Sequence, residues 1–141
     1  MPEPASDTKQ GRGPGGWEPL LAMLRTFRDD RDWKQFHTPK DLAAAIAIEA
    51  GELQEQFLWK TNDEVAADLA APARRRAVVD EVADVLICTL LLADCLGIDI
   101  DEAVRSKTVA NAKKYPVSQA RGTARKYTEL RRRRPRSGDR H

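Results

Sequence analysis

The sequence predicts an all-α fold, a bundle of four main helices with disordered tails at both ends. Three observations support this prediction. Apolar residues recur at helical spacing through the middle of the chain, and helix start and stop signals separate the segments in which they do so. No segment alternates polar and apolar residues with period two for long enough to form a sheet.

The first two helices are delimited by residues with clear positional preferences. A helix is predicted from about Glu18 to Trp33. Its apolar stripe comprises Leu20, Leu21, Leu24 and Phe27. Thr38 is typical of an N-cap and Pro39 of a first helical position, so a second helix should begin there and extend to about Trp59.

Helix breakers and caps define the remaining helices. Residues 61–63 (Thr-Asn-Asp) interrupt the pattern, and a short helical piece is predicted over 64–69. Pro72 opens the third long helix, and Gly97 suits the position that follows its last turn. A fourth helix should stop before Pro116, and it begins with a predicted capping box of Asp99 and Glu102.

Charge is unevenly distributed along the chain. Residues 17–116 contain 13 Lys and Arg against 18 Asp and Glu, a balance of −5. Residues 117–141 contain 9 against 2, a balance of +7. We therefore expect three segments: a disordered tail over 1–16 that is rich in Gly and Pro, one domain over 17–116, and a basic, flexible tail over 117–141.

Several protein classes are disfavoured by composition. The longest apolar stretch covers nine residues, from Val85 to Ala93, whereas a membrane span needs about 20. Residues 1–16 lack the apolar core of a secretory signal. Cys88 and Cys95 lie seven residues apart on one predicted helix and cannot bridge each other, which fits a reducing, cytoplasmic setting.

Four carboxylates in two short pairs are the candidate metal ligands. Glu49 and Glu52 lie on the second predicted helix and Glu81 and Asp84 on the third, each pair spaced i, i+3 and so on one helix side. Glu49 falls in the middle of an apolar stripe, where an ionised carboxylate is costly unless paired or bound to metal. Two such helices face to face would gather four hard oxygen ligands for Mg²⁺, with Mn²⁺ as a substitute. Neighbouring Arg or Lys, or solvent, would satisfy the same acids without a metal.

The histidines and the basic residues restrict the kinds of metal chemistry that this chain could perform. A di-iron bundle would need Glu-x-x-His pairs, and neither His37 nor His141 follows a Glu at that spacing. A divalent cation on carboxylates would instead polarise a phosphoryl group and deliver an activated water. Lys107 and Asn111 lie one helical turn apart, with Lys114 a further turn along, and are candidates to stabilise charge on phosphate oxygens. Taken alone, these three are better explained as a solvated helix face.

The carboxylate pattern resembles that of the MazG-like all-α nucleoside triphosphate pyrophosphohydrolases, and within them the dCTP pyrophosphatase branch. The shared pattern is Glu49-x-x-Glu52, a gap of 28 residues, and Glu81-x-x-Asp84. Three further motifs surround it: RDWKQFHTP (31–39), GELQEQFLWK (51–60) and SKTVANAKKYP (106–116).

The resemblance implies an activity and a set of site residues. The implied reaction is Mg²⁺-dependent hydrolysis of a (deoxy)nucleoside triphosphate, a pyrimidine one such as dCTP or a modified dCTP, to the monophosphate and pyrophosphate. The four acidic residues would be catalytic metal ligands. The implied substrate-binding residues are Trp33, His37 and Trp59 around base and sugar, and Lys107 and Asn111 at the phosphates. A homo-oligomer, a dimer or a tetramer, is also implied.

The aromatic residues of this site have alternative explanations. Trp33 and Trp59 offer flat faces on which a base can stack, a contact worth about 1–3 kcal/mol per base. Packing within the bundle would explain both equally well, and His37 alone fits a partly exposed loop position. Two positions depart from the dCTP-selective relatives, which carry Tyr where this chain has Cys88 and His where it has Leu24, so selectivity for cytosine is not implied.

A second function remains open, that of a helical oligomerisation or nucleic-acid-binding module that acts through the basic tail. The run RRRRPR (131–136) could contact phosphate backbones by counterion release. Only Tyr127 offers an aromatic ring nearby, and the acidic domain would repel nucleic acid, so we expect nucleic acid to be a weak partner at most. A purely structural scaffold gives no reason for four acids at apolar-stripe positions.

Overall fold

The structure, a computed structural model, describes residues 16–132, so the expected disorder of residues 1–16 lies almost wholly outside the described residues. It contains seven α-helices: α1 (Glu18–Asp29), α2 (Pro39–Glu55), α3 (Asn62–Leu69), α4 (Pro72–Cys95), α5 (Ile100–Lys114), α6 (Val117–Ala120) and α7 (Tyr127–Arg132). Between residues 16 and 132 there is no strand, and the predicted all-α fold class is confirmed.

Helix α1 is shorter than predicted. It ends at Asp29 instead of continuing to Trp33, and a 3-10 turn over Lys34–Phe36 follows. The chain reverses at Asp32, whose φ of 53° lies in the left-handed region, and the carbonyl of Arg28 accepts hydrogen bonds from the N–H groups of both Arg31 and Trp33. No glycine or proline marks this turn, so sequence periodicity extended the helix too far.

Side-chain caps fix the starts of α2 and α3. The Thr38 hydroxyl accepts a hydrogen bond from the N–H of Asp41 at 3.2 Å, with Pro39 at the first helical position, as predicted. Thr61 and Glu64 form a reciprocal capping box, in which the Thr61 N–H donates to the Glu64 carboxylate at 2.7 Å. Because Thr61 is the N-cap, α3 begins at Asn62, two residues earlier than predicted.

The ends of the later helices follow the predicted stop signals. Helix α4 ends at Cys95, and Gly97 adopts a φ of 65°, which only glycine enters at little cost. Helix α5 ends at Lys114, before Pro116. By contrast α2 ends at Glu55, four residues before Trp59, where the sequence offers no breaker.

The chain forms two compact units, one up to Ile100 and one from Asp101 onward. In the first unit α4 packs against α1, α2 and α3, as expected for the most apolar helix. The core consists of Leu21, Leu24, Leu42, Leu90 and Leu91. Leu90 is only 2 % exposed, so its truncation to Ala should cost about 3 kcal/mol of stability.

A partly buried ion-pair network joins α1 to the end of α4. The Asp94 carboxylate accepts hydrogen bonds from Arg25 Nε at 2.8 Å and from Arg28 Nη1 at 3.2 Å. Arg28 is buried, and it also donates to Asp29 at 2.7 Å. The bonds from Arg25, and then those from Arg28, hold the pKa of Asp94 below its ordinary value. Sequence reasoning did not predict this network.

The second unit contains the rest of α5 together with α6 and α7. The rings of Tyr115 and Tyr127 meet edge to face, with centroids 6.2 Å apart. Residues 117–132 thus include two short helices, and the domain boundary at residue 116 stays a prediction. The run 131–136 lies outside the described residues beyond Arg132. Among residues 16–132, no helix has the length and apolar character needed to cross a bilayer.

Candidate metal and nucleotide site

Packing of α2 on α4 brings three of the four predicted metal ligands together. Glu49, Glu52 and Glu81 each offer one carboxylate oxygen, and these three oxygens lie within 4.8 Å of one another. Glu49 and Glu81 are half-buried, whereas Glu52 is exposed. We call these three residues the carboxylate cluster; the role of its members as ligands stays a prediction.

Asp84 lies outside this closest group. It is exposed on α4, one helical turn beyond Glu81. Its charge nevertheless acts on the carboxylate cluster, because it contributes to raising the pKa of both Glu49 and Glu81. The predicted fourth ligand therefore lies at the edge of the cluster.

The carboxylate cluster concentrates negative charge, and burial together with this charge raises the pKa of two of its members. Burial raises the pKa of Glu49, and repulsion from Glu52, Asp84 and Glu81 raises it further. Burial likewise raises the pKa of Glu81, followed by repulsion from Glu52 and other acidic neighbours. One carboxylate oxygen of Glu81 is buried without a hydrogen-bond partner.

Neutralisation by Arg or Lys and contact with solvent were the two alternative explanations for these acids, and Glu52 and Asp84 are exposed to solvent. Within residues 16–132, no ion pair involves a member of the carboxylate cluster; the pairs that do form join other residues. An orphaned buried oxygen beside two further carboxylates fits a hard divalent cation, which carboxylate ligands prefer to bind. The donor set therefore suits Mg²⁺ or Mn²⁺.

A hollow along α2 adjoins the cluster, and sequence reasoning missed it. Its volume is about 540 Å³, and it is lined by Ile48, Gly51, Glu52, Gln54, Glu55 and Leu58. Ile48 and Leu58 are exposed although both are large and apolar. Apolar residues beside Glu52 on a mostly polar helix face were the available signal in the sequence.

Trp33 and His37 lie on the loop between α1 and α2. Trp33 is 44 % exposed and packs edge to face on Phe27, with ring centroids 5.8 Å apart. His37 is half-buried, and its Nδ1 is buried without a partner. Its backbone carbonyl accepts a hydrogen bond from the Cys95 thiol at 3.4 Å, which ties the loop to the end of α4. Their predicted contacts with substrate stay predictions.

Trp59 is the most exposed large apolar side chain described, at 92 %. Its φ of 61° lies in the left-handed region, which is strained for a bulky residue. The loop after α2 therefore exposes an aromatic ring to solvent in a strained backbone conformation. Packing in the core of this chain does not explain that position. The predicted stacking of a base on Trp59 stays a prediction.

Lys107 and Asn111 occupy successive turns of α5 in the second unit and are exposed. Of the two positions that depart from the dCTP-selective pattern, Leu24 belongs to the core of the first unit. Cys88 is half-buried on α4, and burial, followed by the charges of Glu49 and Asp84, raises the pKa of its thiol.

Comparison with known proteins identifies the family to which this arrangement belongs. The model of the MazG-like family matches residues 44–130, which include the whole carboxylate cluster. The chain belongs to the MazG-like family. It is 43 % identical to human dCTP pyrophosphatase 1 over 117 residues, covering 80 % of this chain and 69 % of that protein. The rat protein of the same name is 42 % identical over the same shares.

A solved structure supports the same assignment. The crystal structure of a pyrophosphatase from Archaeoglobus fulgidus matches with a TM-score of 0.69 and 44 % identity, covering 77 % of this chain and 99 % of that one. The predicted membership of the dCTP pyrophosphatase branch is thereby confirmed. So is the predicted enzyme class: this MazG-like protein is a nucleoside triphosphate pyrophosphohydrolase.

Proposed function

We propose that this MazG-like enzyme hydrolyses a pyrimidine deoxynucleoside triphosphate, dCTP or a modified dCTP, to the monophosphate and pyrophosphate, with Mg²⁺ as cofactor and Mn²⁺ as a substitute. The proposed metal ligands are Glu49, Glu52, Glu81 and Asp84. One observation carries the proposal: three carboxylate oxygens from α2 and α4 lie within 4.8 Å of one another. The similarity to the human and rat dCTP pyrophosphatase 1 proteins supports the proposed substrate class.

Bound there, the cation would polarise a phosphoryl oxygen and lower the pKa of a coordinated water. The remaining work falls to the chain. The rigid packing of α2 on α4 holds the carboxylates in place before substrate arrives, and a carboxylate oxygen not used for the metal can orient the attacking water. Lys107 and Asn111 are proposed to contact the phosphates, where a cation and an amide stabilise developing charge.

The proposed base pocket uses Trp33, His37 and Trp59. Stacking on Trp59 holds any base, because every base has a π-face. Discrimination then depends on polar contacts, and Cys88 offers less hydrogen bonding than a hydroxyl would. We therefore propose modest discrimination among pyrimidines, with a substituent at the base tolerated.

We further propose that the enzyme assembles as a homo-oligomer, a dimer or a tetramer. Exposed apolar residues recur on one face of α1 (Leu20, Met23 and Phe27) and on one face of α4 (Val79, Val82 and Leu86). Faces of this kind on a helical protein are typical of subunit interfaces. Light scattering should give a multiple of 15.8 kDa, which Val82→Lys should reduce.

A nucleotide substrate and two free thiols, Cys88 and Cys95, support a cytoplasmic location.

A panel of triphosphates tests the substrate proposal. Purified protein with Mg²⁺ is incubated separately with dCTP, 5-methyl-dCTP, dUTP, dTTP and CTP, and the products are separated by ion-exchange chromatography. We expect pyrophosphate and the monophosphate from dCTP and 5-methyl-dCTP at comparable kcat/KM. Turnover confined to purine nucleotides in a wider panel, or a diphosphate product, would contradict the proposal.

A further inference from the structure

The second unit contains a cavity that includes no residue of the carboxylate cluster, and of the candidate phosphate-side residues named above only Lys114 lines it. It opens to solvent, has a volume of about 660 Å³, and is lined by Lys113, Lys114, Pro116, Gln119, Tyr127 and Arg131. All of these residues lie between 101 and 132, so the cavity is formed within one unit. We call it the cationic cavity.

The fold of residues 101–132 places these residues around the cationic cavity. Helix α5 ends at Lys114, and Pro116 caps the short helix α6. The chain then turns at Gly122, whose φ of 73° is one that glycine adopts at little cost, and enters α7. Tyr127 and Arg131, spaced i, i+4, share one face of α7 and so face the same opening.

The charge of the lining is positive only. Three of the six lining residues are cations, and none is acidic. Within residues 16–132, neither Lys113, Lys114 nor Arg131 forms an ion pair with a carboxylate. The Lys114 ammonium lies 5.3 Å from the centroid of the Tyr127 ring, so a cation–π contact attracts this cation towards the wall. Three like charges around one space attract an anion.

We propose that the cationic cavity binds a condensed phosphate, presented either as free pyrophosphate or as the phosphate chain of a nucleotide. Such a group carries several negative charges in a small volume, which matches three cations around a concave surface. The Gln119 amide and the Tyr127 hydroxyl supply neutral donors for the remaining oxygens. A single-stranded nucleic acid would instead need an extended groove with successive aromatic platforms, whereas one ring lines this cavity.

The cavity takes no residue from the carboxylate cluster, so binding there needs no metal. The test is calorimetric titration of pyrophosphate into the full-length protein in EDTA. We compare the wild type with Lys113→Gln/Arg131→Gln and with the control Arg125→Gln/Lys126→Gln. The control removes the same two charges from exposed residues of the same segment that do not line the cavity. Circular dichroism confirms that each variant is folded.

We expect saturable binding of pyrophosphate by the wild type, weakened at least about tenfold in the cavity variant and about twofold or less in the control. Equal weakening in both variants, or no saturable binding, would overturn the proposal.

Competition identifies the source of the phosphate: displacement by dCTP but not by dCMP supports the nucleotide, and no displacement by either supports free pyrophosphate. Binding of a DNA oligonucleotide that is lost in the cavity variant and unaffected by pyrophosphate would replace the proposal with a nucleic-acid site. Activity with Mg²⁺ is measured separately, so failure of this proposal leaves the hydrolase proposal intact.

Discussion

A carboxylate oxygen of Glu81 lies within 4.8 Å of one of Glu49, although the two residues belong to different helices and the pKa of each is raised. Burial and repulsion from neighbouring carboxylates both oppose the ionisation of Glu49 and Glu81, and no cation among residues 16–132 pairs with either residue. The packing of α2 on α4 therefore maintains an unfavourable charge arrangement. A divalent cation would convert that repulsion into attraction.

Removing the charge of Glu49 should lower activity without lowering stability. Glu49→Gln keeps the shape of the side chain but lessens repulsion with Glu81 and weakens metal binding. We expect turnover of dCTP to fall by roughly 10²–10³-fold, while the melting temperature of the metal-free protein stays equal or rises. Steady-state kinetics and calorimetry in EDTA measure the two effects. Asp63→Asn, an exposed acid in the first turn of α3, is the control; it should leave turnover unchanged and lower the melting temperature only slightly. A Glu49→Gln variant that is both active and less stable would contradict this account.

Removal of the metal should lower the stability of the wild type. A cation at about 100 times its Kd stabilises the folded state by about 2.7 kcal/mol, since it binds the folded state alone. We therefore expect MgCl₂ to raise the melting temperature by several degrees relative to EDTA. The double variant Glu49→Gln/Glu81→Gln should show no such rise. An equal rise in both proteins would indicate that the metal binds elsewhere.

The Asp94 network predicts a specific pH dependence. Because the bonds from Arg25 and Arg28 lower the folded-state pKa of Asp94, its contribution to stability is present above its ordinary value of 3.8 and is lost as the pH falls through the folded-state pKa. Asp94→Asn should be less stable than the wild type by about 2 kcal/mol at pH 7, because Asp94 is partly buried and its carboxylate bonds both Arg25 and the buried Arg28. The difference should shrink below pH 3.8.

Urea unfolding at pH 7 and at about pH 3 gives both values. Asp29→Asn is the matched control, because Asp29 also bonds Arg28 but is exposed. Asp29→Asn should lower the free energy of unfolding by less than about 1 kcal/mol at pH 7. A cost for Asp94→Asn that does not depend on pH would show that packing, not charge, explains the loss.

Trp59 should show a conflict between stability and substrate binding. A side chain at a φ of 61° is strained, so Trp59→Gly should be no less stable than the wild type and up to about 1 kcal/mol more stable. Loss of the stacking face should raise KM at least about tenfold, whereas Trp59→Phe should raise it less. Light scattering on the same samples checks the assembly. If KM is unchanged and the oligomer dissociates, Trp59 belongs to a subunit interface.

Local sequence signals predicted the helix starts better than the helix ends. Thr38 and Pro39 act through bonds to adjacent residues, so their effect is visible in the sequence itself. The turns at Asp32 and Trp59 rest on left-handed conformations of residues that rarely adopt them, and nothing local indicates such a turn. The helices of residues 117–132 were missed because the basic composition of residues 117–141 predicted a flexible tail, and α6 and α7 are too short to give a clear periodic pattern.

For the candidate site, the sequence predicted which carboxylates are neighbours on one helix, but it did not predict the contacts between helices. The i, i+3 spacing placed Glu49 with Glu52 and Glu81 with Asp84, since helix geometry fixes those neighbours. The approach of Glu49 to Glu81 depends on how α2 packs on α4, which periodicity alone does not give. The partners of Asp94 are Arg residues more than sixty positions away in the chain, so only the fold reveals them.

We propose above that acids from two helices hold a divalent cation for attack on a triphosphate. Phosphorus NMR of dCTP turnover tests it most directly, with wild type and Glu49→Gln/Glu81→Gln each measured in MgCl₂ and in EDTA. We expect pyrophosphate and dCMP from the wild type in MgCl₂ alone. Pyrophosphate release by the double variant at the wild-type rate, or by the wild type in EDTA, would contradict the claim.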